Sequence, residues 1–174
     1  MQQHHDVPFL AKEDVTVIAV SDVIEATAIR TLLEGFNYRV TVHWVGSRKE
    51  LLMLLDGSIG TDGTIVLSCH GIDAGIYVPD EAPLGAEEVQ EVSRLEGKTV
   101  ISLGCLTGSP AFAAAFKTAG VAHYAAPTDS PEGRAALNFA SNLFFLLAAG
   151  RSVEDAVSRA AMFDPETAQF ELLF

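Results

Sequence analysis

Cysteine is scarce in this chain: two in 174 residues, Cys69 and Cys105, with no paired spacing. A disulfide framework is thereby excluded, and free thiols in a reducing, cytoplasmic setting are expected. A zinc site built from Cys69, His70, Cys105 and His123 would lack any Cys-x-x-Cys or His-x-x-x-His spacing, and adjacent residues seldom ligate one ion together. Basic residues are also few, 11 Lys plus Arg against 23 Asp plus Glu, and they are scattered. A net charge of -12 argues against nucleic acid and against an anionic membrane as partner, and leaves a basic protein or peptide substrate open. Long hydrophobic runs are missing too. The most apolar stretch, 135–149, is too short to span a bilayer and carries Asn138, Ser141 and Asn142. The first 14 residues hold no apolar run flanked by basic residues, so no secretory leader is expected there. They read as a flexible arm, 1–14, ahead of a single domain, 15–174, with about half its residues apolar.

What is present alternates. Val15 to Val20 is an almost continuous apolar run that predicts a buried strand, followed by Ser21 as a helix cap and an apolar face of Val23, Ala26, Ile29, Leu33 and Phe36. Tyr38 to Val45 is a second, β-branched strand. Ser47-x-x-Glu50 is a capping-box pattern opening a helix that Gly57 ends. Thr64 to Cys69 predicts a third strand, Glu87 to Leu95 a helix, and Lys98 to Leu103 a fourth strand. Ser109-Pro110 opens a helix that stops at Gly120, Val121 to Ala126 is a fifth strand, Ser130-Pro131 starts a helix closing at Gly150, and Ser152-x-x-Asp155 opens a last one. The tail, 166–174, is apolar enough to dock on the body. Such alternation implies an α/β fold, a mostly parallel sheet with helices on both faces, whose ligands bind beyond the carboxyl ends of the strands.

Four polar clusters fall at those ends: Ser21-Asp22, His70-Gly71, Gly104-Cys105 and Thr128-Asp129. Within Ser68-Cys69-His70-Gly71, successive strand side chains point to opposite faces, so Cys69 is the poorer partner for His70. Cys105 ends the next apolar run and reaches the same crevice if the two strands are neighbours. A thiol beside an imidazole, close to backbone N–H groups and a helix start, suits acyl transfer: the thiolate attacks a carbonyl, the histidine handles the proton, and the N–H groups hold the oxyanion.

The segments 67–71 (LSCHG) and 100–109 (VISLGCLTGS) resemble, in their order, the His-Gly and Cys blocks of caspase-like cysteine peptidases. The stretch 126–129 (APTD) followed by 140–156 (ASNLFFLLAAGRSVEDA) resembles the C-terminal part of CHAT domains, the branch related to separases. The resemblance covers roughly 15–162. It implies a caspase-like three-layer sandwich, Cys105 as nucleophile, His70 as general acid/base, the N–H groups of Gly71 and Cys105 as oxyanion hole, and no metal or organic cofactor. A protein activator or a larger assembly stays open. Leu103-Gly104 stand where caspases carry Gln-Ala, and Leu103 where metacaspases carry an Asp, which separates the chain from both. The segment 126–129 also resembles the Trp-Asp-Val-Thr-Asp block of separases, which implies Asp129 as the acid holding a basic side chain before the scissile bond, with Asp22 lining the same pocket. Asp129 as a favourable charge at the following helix start is the alternative.

Three other readings compete. A class I glutamine amidotransferase wants glycines two residues either side of its cysteine and a later histidine, whereas Leu103 and Thr107 occupy those places and His70 comes first. A flavodoxin-like phosphate loop wants glycine after the first strand, where Ser21-Asp22-Val23 has none. A caspase-like binding or signalling module with a silent dyad is the non-enzymatic alternative.

Overall fold

The computed structural model describes residues 13–174. In chain order the elements are β1 (Asp14–Val20), α1 (Val23–Gly35), β2 (Arg39–Val45), α2 (Arg48–Leu55), β3 (Thr64–Ser68), β4 (Gly71–Ile72), β5 (Gly75–Ile76), α3 (Ala86–Val92), β6 (Thr99–Ser102), α4 (Pro110–Thr118), β7 (His123–Pro127), α5 (Gly133–Ala148), α6 (Val153–Ala161) and β8 (Phe170–Leu172), with a 3-10 turn before β8. Six strands form one sheet in the order β2-β1-β3-β6-β7-β8; only β8 runs antiparallel to its neighbour. Five parallel strands need helical crossovers, and these cover both faces.

Period-two alternation along β1 divides the core. Val15, Val17 and Ala19 face a layer made by α1, α5 and α6, packed on Phe139, Leu143, Phe144 and Phe170. Ile18 and Val20 face the other layer, α2, α3 and α4, with Leu51, Leu54, Phe112, Phe116 and Tyr124. The result is an α/β/α sandwich of the predicted class. Among the described residues no helix is long and apolar enough to cross a membrane.

Local signals worked where one residue type has one use. Ser47 accepts from Glu50 N–H at 3.2 Å while the Glu50 carboxylate takes Gly46 N–H at 2.9 Å. Ser109 and Ser152 cap α4 and α6. Elsewhere the boundaries move. Asp22, not Ser21, caps α1, because Ser21 is spent on a left-handed turn at φ 72°. The Glu87–Leu95 helix is Ala86–Val92, ended by Ser93 in extended backbone. The helix expected from Ser130-Pro131 begins at Gly133, with no side-chain cap. The tail docks as β8 on the β7 edge, and the Phe170 ring stacks on Phe139 with centroids 4.2 Å apart. Of the expected arm, 1–12 lies outside the described residues and Asp14 already belongs to β1.

Candidate active site

α1 leads from β1 outward to β2, whereas β3 lies on the other side of β1, so the strand order reverses between β1 and β3. Open α/β sheets form their crevice at such a switch. Around it stand the ends of β1 (Ser21-Asp22), β3 (Cys69-His70) and β6 (Gly104-Cys105), and β3 pairs directly with β6. β7 is the next strand over and ends before Thr128-Asp129.

The Cys105 loop is held rigidly. Leu103 N–H still donates to Leu67 at 2.9 Å, after which the chain leaves the sheet. The Thr107 hydroxyl donates to the Gly104 carbonyl at 2.6 Å, so the Ser102 hydroxyl, 2.8 Å away, donates to Thr107. Buried Tyr124 donates to the Thr107 carbonyl at 2.6 Å from beneath. Leu106 N–H bonds the Asp129 carbonyl at 3.0 Å, and Gly108 N–H bonds Pro127 at 2.8 Å. These bonds over-determine Leu106, a branched residue held at φ 61° beside the thiol. Cys105 N–H donates to no backbone carbonyl among the described residues.

Against this loop lies the His70-Gly71 turn. A methyl group on Gly71 would fall 1.6 Å from the Cys105 carbonyl oxygen and 3.0 Å from Cys105 N, so the two backbones touch and only hydrogen fits. Tyr77 N–H donates to the His70 carbonyl at 2.8 Å, and Ile76 N–H goes to Leu84, fixing the β4–β5 hairpin that carries Gly71. Neither two-residue strand has a periodicity to read in the sequence.

The two thiols differ. Cys69 is buried among the α2, α3 and α4 layer, and desolvation, helped by the nearby Glu25 carboxylate, pushes its thiol up to about 12. That is an inert thiol. Cys105 is half-buried, and its hydrogen-bond partner is the Pro131 carbonyl at 4.0 Å rather than His70.

His70 presents 60% of its side chain to solvent, with Nε2 3.9 Å from Asp22 Oδ2. The other Asp22 oxygen accepts from Glu25 N–H at 2.8 Å as the α1 cap. Asp22, expected at a substrate pocket, therefore stands beside the imidazole. Asp129 is exposed; its carboxylate accepts from Ser130 N–H at 2.8 Å, a local turn rather than the α5 start. Sequence reasoning missed Glu25. Its carboxylate accepts the Ser68 hydroxyl at 2.6 Å and lies near Asp22 and His70. The available signal was an acid one residue from the buried Ala26-Ile29-Leu33 stripe, where an α1 solvent face would not place it. Among the described residues no three His, Cys, Asp or Glu side chains converge as metal ligands would.

A scan of family models and a sequence search of curated proteins each find no match. Solved structures do match in shape. The complex of Porphyromonas gingivalis RgpB pro- and mature domains superposes with a TM-score of 0.61 at 12% identity, covering 90% of this chain and 44% of that one. The Arg-specific cysteine proteinase gingipain R gives 0.60 at 13% identity, with 90% and 43% covered. The Saccharomyces cerevisiae separase–securin complex gives 0.59 at 12%, covering 97% of this chain and 12% of that one. The chain thus spans less than half the length of each of these relatives, and it shares with gingipain and separase the caspase-like three-layer α/β sandwich.

Proposed function

We propose that the chain is a cysteine endopeptidase of the caspase-like type, with Cys105 as nucleophile and His70 as general acid/base. The observation that carries this reading is the contact between Gly71 and the Cys105 backbone, which sets a half-buried thiol and an exposed imidazole at the ends of adjacent strands. In the reaction, the Cys105 thiolate forms a C–S bond to the scissile carbonyl carbon. The carbonyl electron pair moves onto oxygen, and the N–H groups of Gly71 and Cys105 hold that oxyanion. The His70 imidazolium gives its proton to the leaving amine as the C–N bond breaks. In the second half, His70 takes a proton from water as the water attacks the thioester, and cleavage of the C–S bond returns the thiolate and a free carboxylic acid. Asp22 Oδ2 lies 3.9 Å from Nε2 of that imidazole. The 4.0 Å bond from Sγ to Pro131 is the resting state of the thiol, and turnover requires it to swing toward His70. The substrate is a protein or peptide, and the chain acts without metal or organic cofactor.

For the residue before the scissile bond, basic side chains fit. Asp129 is joined through its carbonyl to Leu106, one residue from the nucleophile, and a carboxylate there pairs with a guanidinium in bidentate fashion and repels acids. Gingipain R, of the same fold, is Arg-specific. A peptide library scanned at that position is expected to favour Arg or Lys, with the preference reduced at least 10-fold in Asp129→Ala, about 1.4 kcal/mol. A preference for apolar or acidic residues contradicts the pocket. The second reading, a catalytically silent caspase-like binding module, draws on the Cys105–Pro131 bond in place of a Cys105–His70 one; failure to cleave any member of the library favours it.

A further inference from the structure

We propose that Glu25 is a positioning residue of the site: its carboxylate ties the first turn of α1 to the end of β3 and so fixes the distance between Asp22 and His70. This inference rests on the peptidase reading above, and goes beyond the residues in it.

Geometry comes first. Asp22 and His70 sit on different elements, the α1 cap and the turn after β3, and the backbone ladder between β1 and β3 ends at Ala19↔Ser68, short of both. Glu25 supplies two of the links. Its N–H holds Asp22 Oδ1 at 2.8 Å, and its Oε1 receives the fully buried Ser68 hydroxyl at 2.6 Å, two residues before His70. Glu25 is therefore a residue that bonds the acid through its backbone N–H and, through its carboxylate, the strand that delivers the base. An ordinary helix cap needs neither the Ser68 bond nor a carboxylate at this depth.

The groups facing Glu25 are Asp22 on its own turn, and Ser68, Cys69 and His70 from the β3 end. Burial raises the Glu25 carboxyl above its ordinary range; the Ser68 bond opposes that, Asp22 adds to it, and His70 opposes it. A carboxyl raised in the folded state binds its proton more tightly there than in the unfolded chain. Its contribution to stability is full below the ordinary carboxylate value and falls away as pH rises through the raised one. At neutral pH the site thus holds a carboxylate at a cost in stability, which the bond from the Ser68 hydroxyl offsets in part.

The test separates reach from charge. Glu25→Gln keeps a bond to Ser68 and loses the charge, so it is expected to keep native kcat for peptide cleavage. Glu25→Asp keeps the charge but not the reach, and kcat is expected to fall several-fold at unchanged KM. Imidazole NMR, with His70→Gln identifying the signal, reads the same geometry without turnover: the His70 resonances are expected to move in Glu25→Asp and to stay near native in Glu25→Gln. Native kcat with unmoved His70 resonances in Glu25→Asp, or an equal loss in both variants, overturns the positioning role. Moved resonances in a protein that cleaves no peptide overturn the peptidase reading and not this one.

Discussion

His70→Ala is expected to lower peptide cleavage by about 10²- to 10⁴-fold, the usual contribution of one positioned acid/base, while thermal unfolding stays close to native. The side chain is 60% exposed and its ion-pair partner Asp22 is 3.9 Å away, so its removal leaves no cavity and no buried unpaired charge. What the proposed mechanism loses is the proton for the leaving amine. The other histidines provide the contrast. His43 lies on edge strand β2 and His123 at the start of β7, at the opposite end from Cys105, so both are expected to be replaceable without loss of cleavage. His4 and His5 lie outside the described residues and enter no part of the mechanism. Kinetics beside a thermal melt for each variant check this, and undiminished cleavage by His70→Ala removes the dyad.

Gly71→Ala is the second large effect. Its methyl group would meet the Cys105 carbonyl oxygen at 1.6 Å and the carbonyl carbon at 2.7 Å, which are backbone atoms that no rotamer change moves aside. Either the hairpin or the Cys105 loop must shift, and the loop is pinned through Leu106, Thr107 and Gly108. Overpacking of this kind destabilises by about 1–3 kcal/mol. The activity loss is expected to be larger, 10²-fold or more, because a displacement of about 1 Å between nucleophile and oxyanion donors is felt in full at the transition state. Gly60→Ala is the control: nothing lies within 4 Å of its added carbon, and both stability and cleavage should stay native. Denaturant unfolding and cleavage rates for both variants check the comparison.

The sequence made the sheet legible because parallel strands buried on two faces leave nearly unbroken apolar runs, such as 15–20 and 100–103, interrupted only by Thr16 and Ser102, that amphipathic helices do not. Strand ends followed, and with them Asp22, His70, Cys105 and Asp129, because the α/β crossover puts every such end on one edge. Whether strands β3 and β6 were neighbours was left open, and their pairing Thr64↔Thr99 through Leu67↔Ser102 answers it. Other features had no local cause to read. The β4–β5 hairpin is two residues a side and exists because His70, Ile76 and Leu84 find backbone partners. The tail carried apolar residues without direction; the exposed edge of β7 gave Phe170 to Leu172 their strand. Ser21 and Asp22 can each cap a helix, and the choice between them was made by a left-handed turn at the end of β1. The bond from Ser68 to Glu25 joins residues 43 positions apart, a pairing that only the folded topology brings about.

The peptidase assignment is tested most directly by treating the chain with a peptidyl ketone that carries a leaving group and an Arg side chain next to it, then mapping the modified residue by mass spectrometry. One adduct, on Cys105, with Cys69 unmodified behind its buried position and raised thiol, is the expected result, and His70→Ala should slow its formation at least 10²-fold. An adduct on Cys69, or formation on Cys105 at the same rate with and without His70, would contradict the account.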